Sequence, residues 1–119
     1  MHPPPKIACV SKQTKIKELV IEMTKFPLGA ACIVEGDRLV GIVTDGDLRR
    51  ALNVKENLLD VSADGVMTIS PQSIKPNVSL GDALKQMEDR ESPISVLPVA
   101  CPKTNKLLGM IRLHDIYNP

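Results

Sequence analysis

The sequence predicts an α/β (α+β) fold built from two tandem β-α-β-β-α units packed about a pseudo-two-fold axis. Two internal repeats and an aliphatic composition point to it. The first repeat is helical: Ile16, Leu19, Val20 and Met23 recur at the spacing of one helix face, and Leu80, Ala83, Leu84 and Met87 repeat the pattern 64 positions later. The second is a glycine-led segment, Gly41-Ile42-Val43-Thr44-Asp45-Gly46-Asp47-Leu48, echoed 68 positions on by Gly109-Met110-Ile111-Arg112-Leu113-His114-Asp115-Ile116. The chain has 119 residues, 43% of them hydrophobic and 2% aromatic, so its core must be aliphatic.

The elements follow in order. Ile7 to Val10 reads as a leading strand after a proline-rich entry, and Thr14 offers a cap to the helix beginning near Ile16. The apolar run at Ala30-Ala31-Cys32-Ile33-Val34, the turn Glu35-Gly36-Asp37-Arg38 and the run ending at Thr44 form a hairpin. A helix then opens at Asp47 and runs to about Val54, and Glu56 to Gly65 joins the halves. In the second half a strand is expected at about Ser73 to Lys75. Ser79, with Asp82 three residues on, starts the next helix, and a last helix opens at Asp115. The change of shift from 64 to 68 is assigned to the longer loop Ala100–Lys106, with one further residue near Pro98. The division expected is repeat 1 over residues 1–60 and repeat 2 over 61–119. Each half alone would bury too little surface, which pairing corrects.

Composition narrows function. A net charge of +1 from 15 basic and 14 acidic residues offers no stripe for phosphate neutralisation, and a single Tyr and Phe provide no base-stacking platform, so nucleic acid is not an expected partner. No apolar run is long enough to span a membrane and nothing resembles a signal peptide, so a cytoplasmic protein is expected. Three widely spaced cysteines and two histidines form no metal-ligand pattern, no nucleophilic triad and no acid–base pair, so no metal, no cofactor and no catalytic residues are expected.

The chemistry instead gathers at Thr44-Asp45-Gly46-Asp47, where a strand passes into a helix. Gly46 permits close backbone approach, and Asp47 has the carboxylate to accept both hydrogens of a cis-diol while the Thr44 hydroxyl bridges to sugar or phosphate. A structural alternative stands beside this: Asp47 at a helix start favours the dipole and pairs with Arg50, a capping role that needs no ligand. The recurrence at Asp115 favours ligand binding. Arg112 stands where Thr44 stands in the first repeat; its fork suits phosphate or carboxylate, or equally a surface ion pair. His114 reads as a cleft or helix-start residue.

The repeated unit, with Gly41-x-x-Thr44-x-x-Asp47 and Gly109 followed by Asp115, resembles the CBS domain pair, or Bateman module, over essentially the whole chain. Within that superfamily Thr44-Asp45-Gly46-Asp47-Leu48-Arg49-Arg50, Gly29-Ala30-Ala31, Asp64-Gly65-Val66-Met67-Thr68 and Leu113-His114-Asp115 look like the C-terminal region of bacterial arabinose-5-phosphate isomerases. The resemblance implies a regulatory module attached to a sugar-isomerase domain, absent here, that serves lipopolysaccharide or capsule sugar synthesis. Met1-His2-Pro3 aligns with Met67-Thr68-Ile69, so Met1 is expected to be internal to a longer protein. Carried over from the family, the ligand contacts are Val10 and Lys75 on the leading strands, Ala30 and Ile94 with Ser95 at the second-strand entry, then Thr44, Asp47 and Asp115. Arg112 replaces the usual Thr and favours a ligand with an extra acidic group, a nucleotide-activated sugar acid such as CMP-Kdo. A homodimer through helix faces is expected. The alternatives are a ligand-free dimerisation module, an adenine-nucleotide sensor of another parent protein, and an enzyme acting alone.

Overall fold

The computed structural model describes residues 3–69, 75, 76, 79, 81–83, 85 and 96–112. Strand β1 (Ala8–Val10) leads into helix α1 (Ile16–Lys25), then hairpin β2 (Ala30–Glu35) and β3 (Arg38–Thr44), helix α2 (Asp45–Leu52), a short strand β4 (Thr68–Ile69), and a second hairpin β5 (Val96–Ala100) and β6 (Leu107–Arg112). One sheet has the order β1-β2-β3-β4, with β1 parallel to β2 and the other neighbours antiparallel; β5 and β6 pair antiparallel in the other. This is the mixed α/β architecture the repeat predicts.

Alternation along the strands gives the first sheet two apolar faces. Ala8 and Val10 of β1, Ala31 and Ile33 of β2 and Val43 of β3 pack with Ile16, Leu19 and Met23 of α1 and Ala51 of α2. On the opposite face Ala30, Cys32, Leu39 and Ile42 meet Val96, Ala100, Leu107 and Met110 of the second hairpin. The sheets therefore share a core between the halves. Val20, expected on the buried stripe, is 37% exposed, because α1 presents only a narrow seam to its sheet.

The register shows the symmetry residue by residue. Ala30 pairs with Thr44 and Val96 with Arg112; each hairpin also has a bulge at the same step, between Ile33 and Val34 and between Val99 and Ala100. An isolated bridge joins Arg38 to Lys106, its counterpart 68 positions on. Around it Leu39 N donates to Asn105 O and Leu107 N to Asp37 O, each at 2.9 Å. These two bonds exchange under the same correspondence, so the pseudo-two-fold axis passes through the bridge. Matching the hairpins also shifts the bookkeeping of the insertion. Pro98 pairs with Met110 in unbroken register, as Cys32 does with Ile42, so the extra residue expected near Pro98 is not there. The surplus divides between the loop after Cys101 and the chain before β5.

Three local expectations are corrected. Thr14 does not cap α1: its hydroxyl takes the amide of Ser11 at 3.2 Å, and the first helical N–H, that of Ile16, goes to Val61 O at 2.9 Å. The joining segment thus closes the helix start, with Ala63 N donating to Thr14 O at 2.8 Å and Leu58 and Ala63 buried in the first core. Helix α2 begins at Asp45 rather than Asp47, since Thr44 is its cap. Lys75 is exposed and outside any strand, while β4, on Thr68–Ile69, supplies the edge of the first sheet. Ser79 does accept the amide of Asp82, at 3.1 Å, as the second helix start requires. Ser73 and the last helix, at Asp115, lie outside the described residues.

Candidate functional site: a cleft at the start of helix α2

The strand-to-helix junction is built by reciprocal bonds. Asp47 N donates to Thr44 Oγ1 at 3.2 Å, while Asp47 Oδ2 accepts from Thr44 N at 2.9 Å and from Thr44 Oγ1 at 3.0 Å. This is a complete capping box. The other carboxylate oxygen accepts from Arg50 Nη2 at 2.6 Å, with the Asp47 side chain 11% exposed and that of Arg50 73%. So near a solvated guanidinium the pair contributes little to stability. A Cβ on Gly46 would stand 3.2 Å from Arg50 Nη1, so the glycine leaves room for that arm to fold back.

Gly29, at φ +85°, turns the chain into β2 in the left-handed region, and its carbonyl accepts from Asp45 N at 3.1 Å. That bond ties the strand entry to the helix start. Between them opens a cleft of about 450 Å³. Met23, Leu28 and Leu48 give it apolar walls, and Gly29, Asp45 and Arg112 its polar edge. Arg112 is half-buried and comes from the second repeat, so the cleft is composite.

Not every expected residue arrives there. Thr44, Gly46 and Asp47 build the helix start but do not line the cleft, and Ala30 is wholly buried in the core between the sheets. Val10 borders a different hollow of about 500 Å³ beside Ser11, Thr14, Glu18 and Glu22. In the second repeat the register counterpart of Ala30 is Val96; Ile94, Ser95, His114 and Asp115 lie outside the described residues. Sequence reasoning missed Asp45 and Leu48 as lining residues. Their signal was present, since a start at Asp45 turns Asp45 and Leu48 toward one face three residues apart.

The cysteines differ in environment. Burial raises the Cys32 thiol, with the neighbouring Cys9 adding to it, and burial alone raises Cys9. Cys101 is lowered, first by a hydrogen bond from the Thr104 side chain and then by backbone donors of Thr104 and Lys103. Elsewhere the Lys12 ammonium, by hydrogen bond and then charge, holds the Glu35 carboxyl below its usual range. A thiol-alkylating reagent at mildly alkaline pH is expected to modify Cys101 first, at a pH where an ordinary thiol is still mostly protonated, and Cys32 last. Peptide mass spectrometry checks the order. Equal rates for Cys32 and Cys101 in the folded chain would contradict this packing. No group of three or more potential metal ligands occurs among the described residues, and no helix among them is long and apolar enough to cross a membrane.

Two tandem units, a shared inter-sheet core and a threonine–aspartate helix start define a class. The chain belongs to the CBS domain family, whose pattern matches residues 1–54 and again 61–118. It is similar to arabinose 5-phosphate isomerase KdsD of Yersinia pestis, 35% identical over 117 residues that make up 98% of this chain and 34% of the relative. The chain spans about a third of the length of the curated relatives it matches. Among solved structures it resembles a CBS-domain protein of Burkholderia ambifaria MC40-6, at TM-score 0.79 and 26% identity over 93% of this chain and 79% of the other. CBSX2 in complex with AMP superposes at TM-score 0.78 and 19% identity, covering 98% of this chain and 89% of that one.

Proposed function

We propose that this chain is the ligand-sensing regulatory CBS pair of an arabinose-5-phosphate isomerase, divided into repeats at residues 1–60 and 61–119. Its ligand is a nucleotide or nucleotide-activated sugar acid such as CMP-Kdo. The observation that carries the proposal is the composite cleft, in which the capped start of α2 and an arginine of the other repeat line one hollow. The ligand contacts proposed are Thr44, Gly46 and Asp47 at the helix start beside it and Arg112 for an acidic group, with His114 and Asp115 as their counterparts in the second repeat. The similarity to KdsD supports the parent enzyme, and the AMP complex of CBSX2 supports nucleotide as the ligand class. The sugar-isomerase domain does the chemistry and this chain regulates it, in the cytoplasm.

The proposal includes a homodimer through helix faces. Val20 and Ile21 on α1 and Leu52 on α2, with Val54 just beyond, are 37%, 48%, 66% and 79% exposed, apolar surface that the internal pairing leaves open. Light scattering at high protein concentration is expected to give twice the chain mass.

A second reading also has an observation behind it. The Asp47 carboxylate is fully engaged by Thr44 and Arg50, as a ligand-free structural module requires. Melting curves with AMP, CMP and CMP-Kdo separate the two. A ligand that binds only the folded chain adds about 2.7 kcal/mol at a hundredfold excess over its Kd, a rise of several degrees in Tm. No shift with any of the three at millimolar concentration leaves the structural reading in place.

A further inference from the structure

Two of the three cysteines stand side by side, and the ligand reading gives them no role. Strands β1 and β2 run parallel with Cys9 opposite Cys32, between the pairs Ala8 with Ala31 and Val10 with Ile33. Those four neighbours all pack with α1 on one face of the sheet, so alternation turns both thiols to the other face. There Cys32 belongs to the core between the two sheets, and Cys9 packs against it. Cys32 is wholly buried; after burial, the charge of a Cys9 thiolate is what raises its thiol further, so each sulfur lies within the other's field. Cys9 is half-buried and borders the hollow of about 500 Å³ beside Ser11 and Thr14, so a small reagent has a way to one thiol of the pair.

Neighbouring strands lie about 4.8 Å apart, within the roughly 4.4–6.8 Å found between the Cα atoms of bridged cysteines. Parallel side chains at that spacing start slightly wider at Cβ than a disulfide prefers, so closing the bond draws β1 toward β2. Strand β1 can follow, because it has three residues and lies at the sheet edge, where β2 is its one partner strand among the described residues. A bond closed against that pull is more easily reduced than a relaxed one. We propose that Cys9 and Cys32 form an oxidation site at which a peroxide converts the facing thiols into a disulfide and a thiol reductant restores them. The thiolate sulfur of Cys9 attacks one peroxide oxygen: an S–O bond forms, the O–O bond breaks, and the leaving hydroxide takes the proton Cys9 gave up to become water. The Cys32 sulfur then attacks that of Cys9, forming the S–S bond and expelling the hydroxyl, which leaves as a second water with the Cys32 proton. Two thiols are oxidised and one peroxide is reduced to two waters. Burial keeps both thiols protonated and slows the first step, but the second is intramolecular, between groups already facing each other. The disulfide fastens β1, and Ile7 just before it in the inter-sheet core, to the strand beside it.

Hydrogen peroxide treatment of the folded 119-residue chain tests it, followed by denaturation, blocking of remaining thiols with iodoacetamide and tryptic mass spectrometry. The expected result is one linked pair of peptides, residues 7–12 joined to residues 26–38, which dithiothreitol separates and Cys101→Ser leaves unchanged. In Cys9→Ala the Cys32 thiol is expected to be recovered as its iodoacetamide adduct, oxidised at least tenfold less than in the original chain. Should Cys9→Ala not fold, as its melting curve would show, Cys32→Ala serves in its place, with no link formed at Cys9. Recovery of both thiols unlinked from the original chain overturns the inference. So do links scattered among all three cysteines, as in a urea-denatured control, since the register would then select nothing.

Discussion

Leu39→Ala is expected to lower stability by about 3 kcal/mol, within the roughly 2–5 kcal/mol typical of a buried leucine truncated to alanine. Leu39 is 2% exposed and sits in the core shared by the two sheets, with Leu107 and Met110 in the same cluster. The cavity has little freedom to collapse. On one side Leu39 is fixed opposite Val34 in the register of β2 and β3, and on the other the second hairpin is tied to the first by backbone bonds at Asn105 and Leu107. Thermal unfolding of a chain this size should then shift down by about 10 °C. Ile21→Ala, on the exposed face of α1, is the comparison; at 48% exposure it should cost no more than about 0.5 kcal/mol. A loss below about 1 kcal/mol for Leu39→Ala would mean that the two hairpins do not share a packed interface.

That interface was only partly legible in the residues. The repeated stripes placed α1 within two residues of its end, and alternating apolar runs with a short turn between them placed β2 and β3, because local periodicity dictates both. The capping motif at Thr44 and Asp47 was readable too, though its helix starts two residues earlier than the aspartate suggested. What failed depended on distant partners. Thr14 has the chemistry of a cap, yet the donor it would satisfy is taken by Val61 O, 45 positions along the chain from Ile16, and no local pattern announces that. Strand β4 holds two exposed residues whose place in the sheet is set by β3. One residue of the changed shift was assigned near Pro98, and only its pairing with Met110 shows that the strand keeps register there. The composite cleft was half-read: Arg112 and the α2 start were found separately, and their meeting is a product of the pseudo-two-fold packing.

Asn105 provides the sharpest test of that packing. It is the only non-glycine with positive φ among the described residues, at 60°, and asparagine tolerates this region better than other side chains with a Cβ. It also makes three bonds at the axis: its amide donates to Cys101 O at 2.8 Å, its carbonyl accepts from Leu39 N at 2.9 Å, and its side-chain Nδ2 donates to Leu39 O. Two separate costs are therefore built into one residue. Asn105→Ala loses the side-chain bond and places an ordinary Cβ in the left-handed region, for about 2 kcal/mol in all. Asn105→Gly loses the bond but relieves the backbone, for about 1 kcal/mol or less. The expected stability order is Asn, then Gly, then Ala, measured by urea unfolding with unchanged slope. Because Asn105 bonds to Leu39 through both backbone and side chain, Leu39→Ala and Asn105→Ala should also be non-additive, by about 0.5 kcal/mol or more in a double-mutant cycle. Additive losses would separate the turn from the core, whereas coupled ones mean that the two repeats meet as one packed and hydrogen-bonded seam. Since β3 and β6 run from this seam to Thr44 and Arg112 at their far ends, a rigid seam fixes the two sides of the cleft relative to each other.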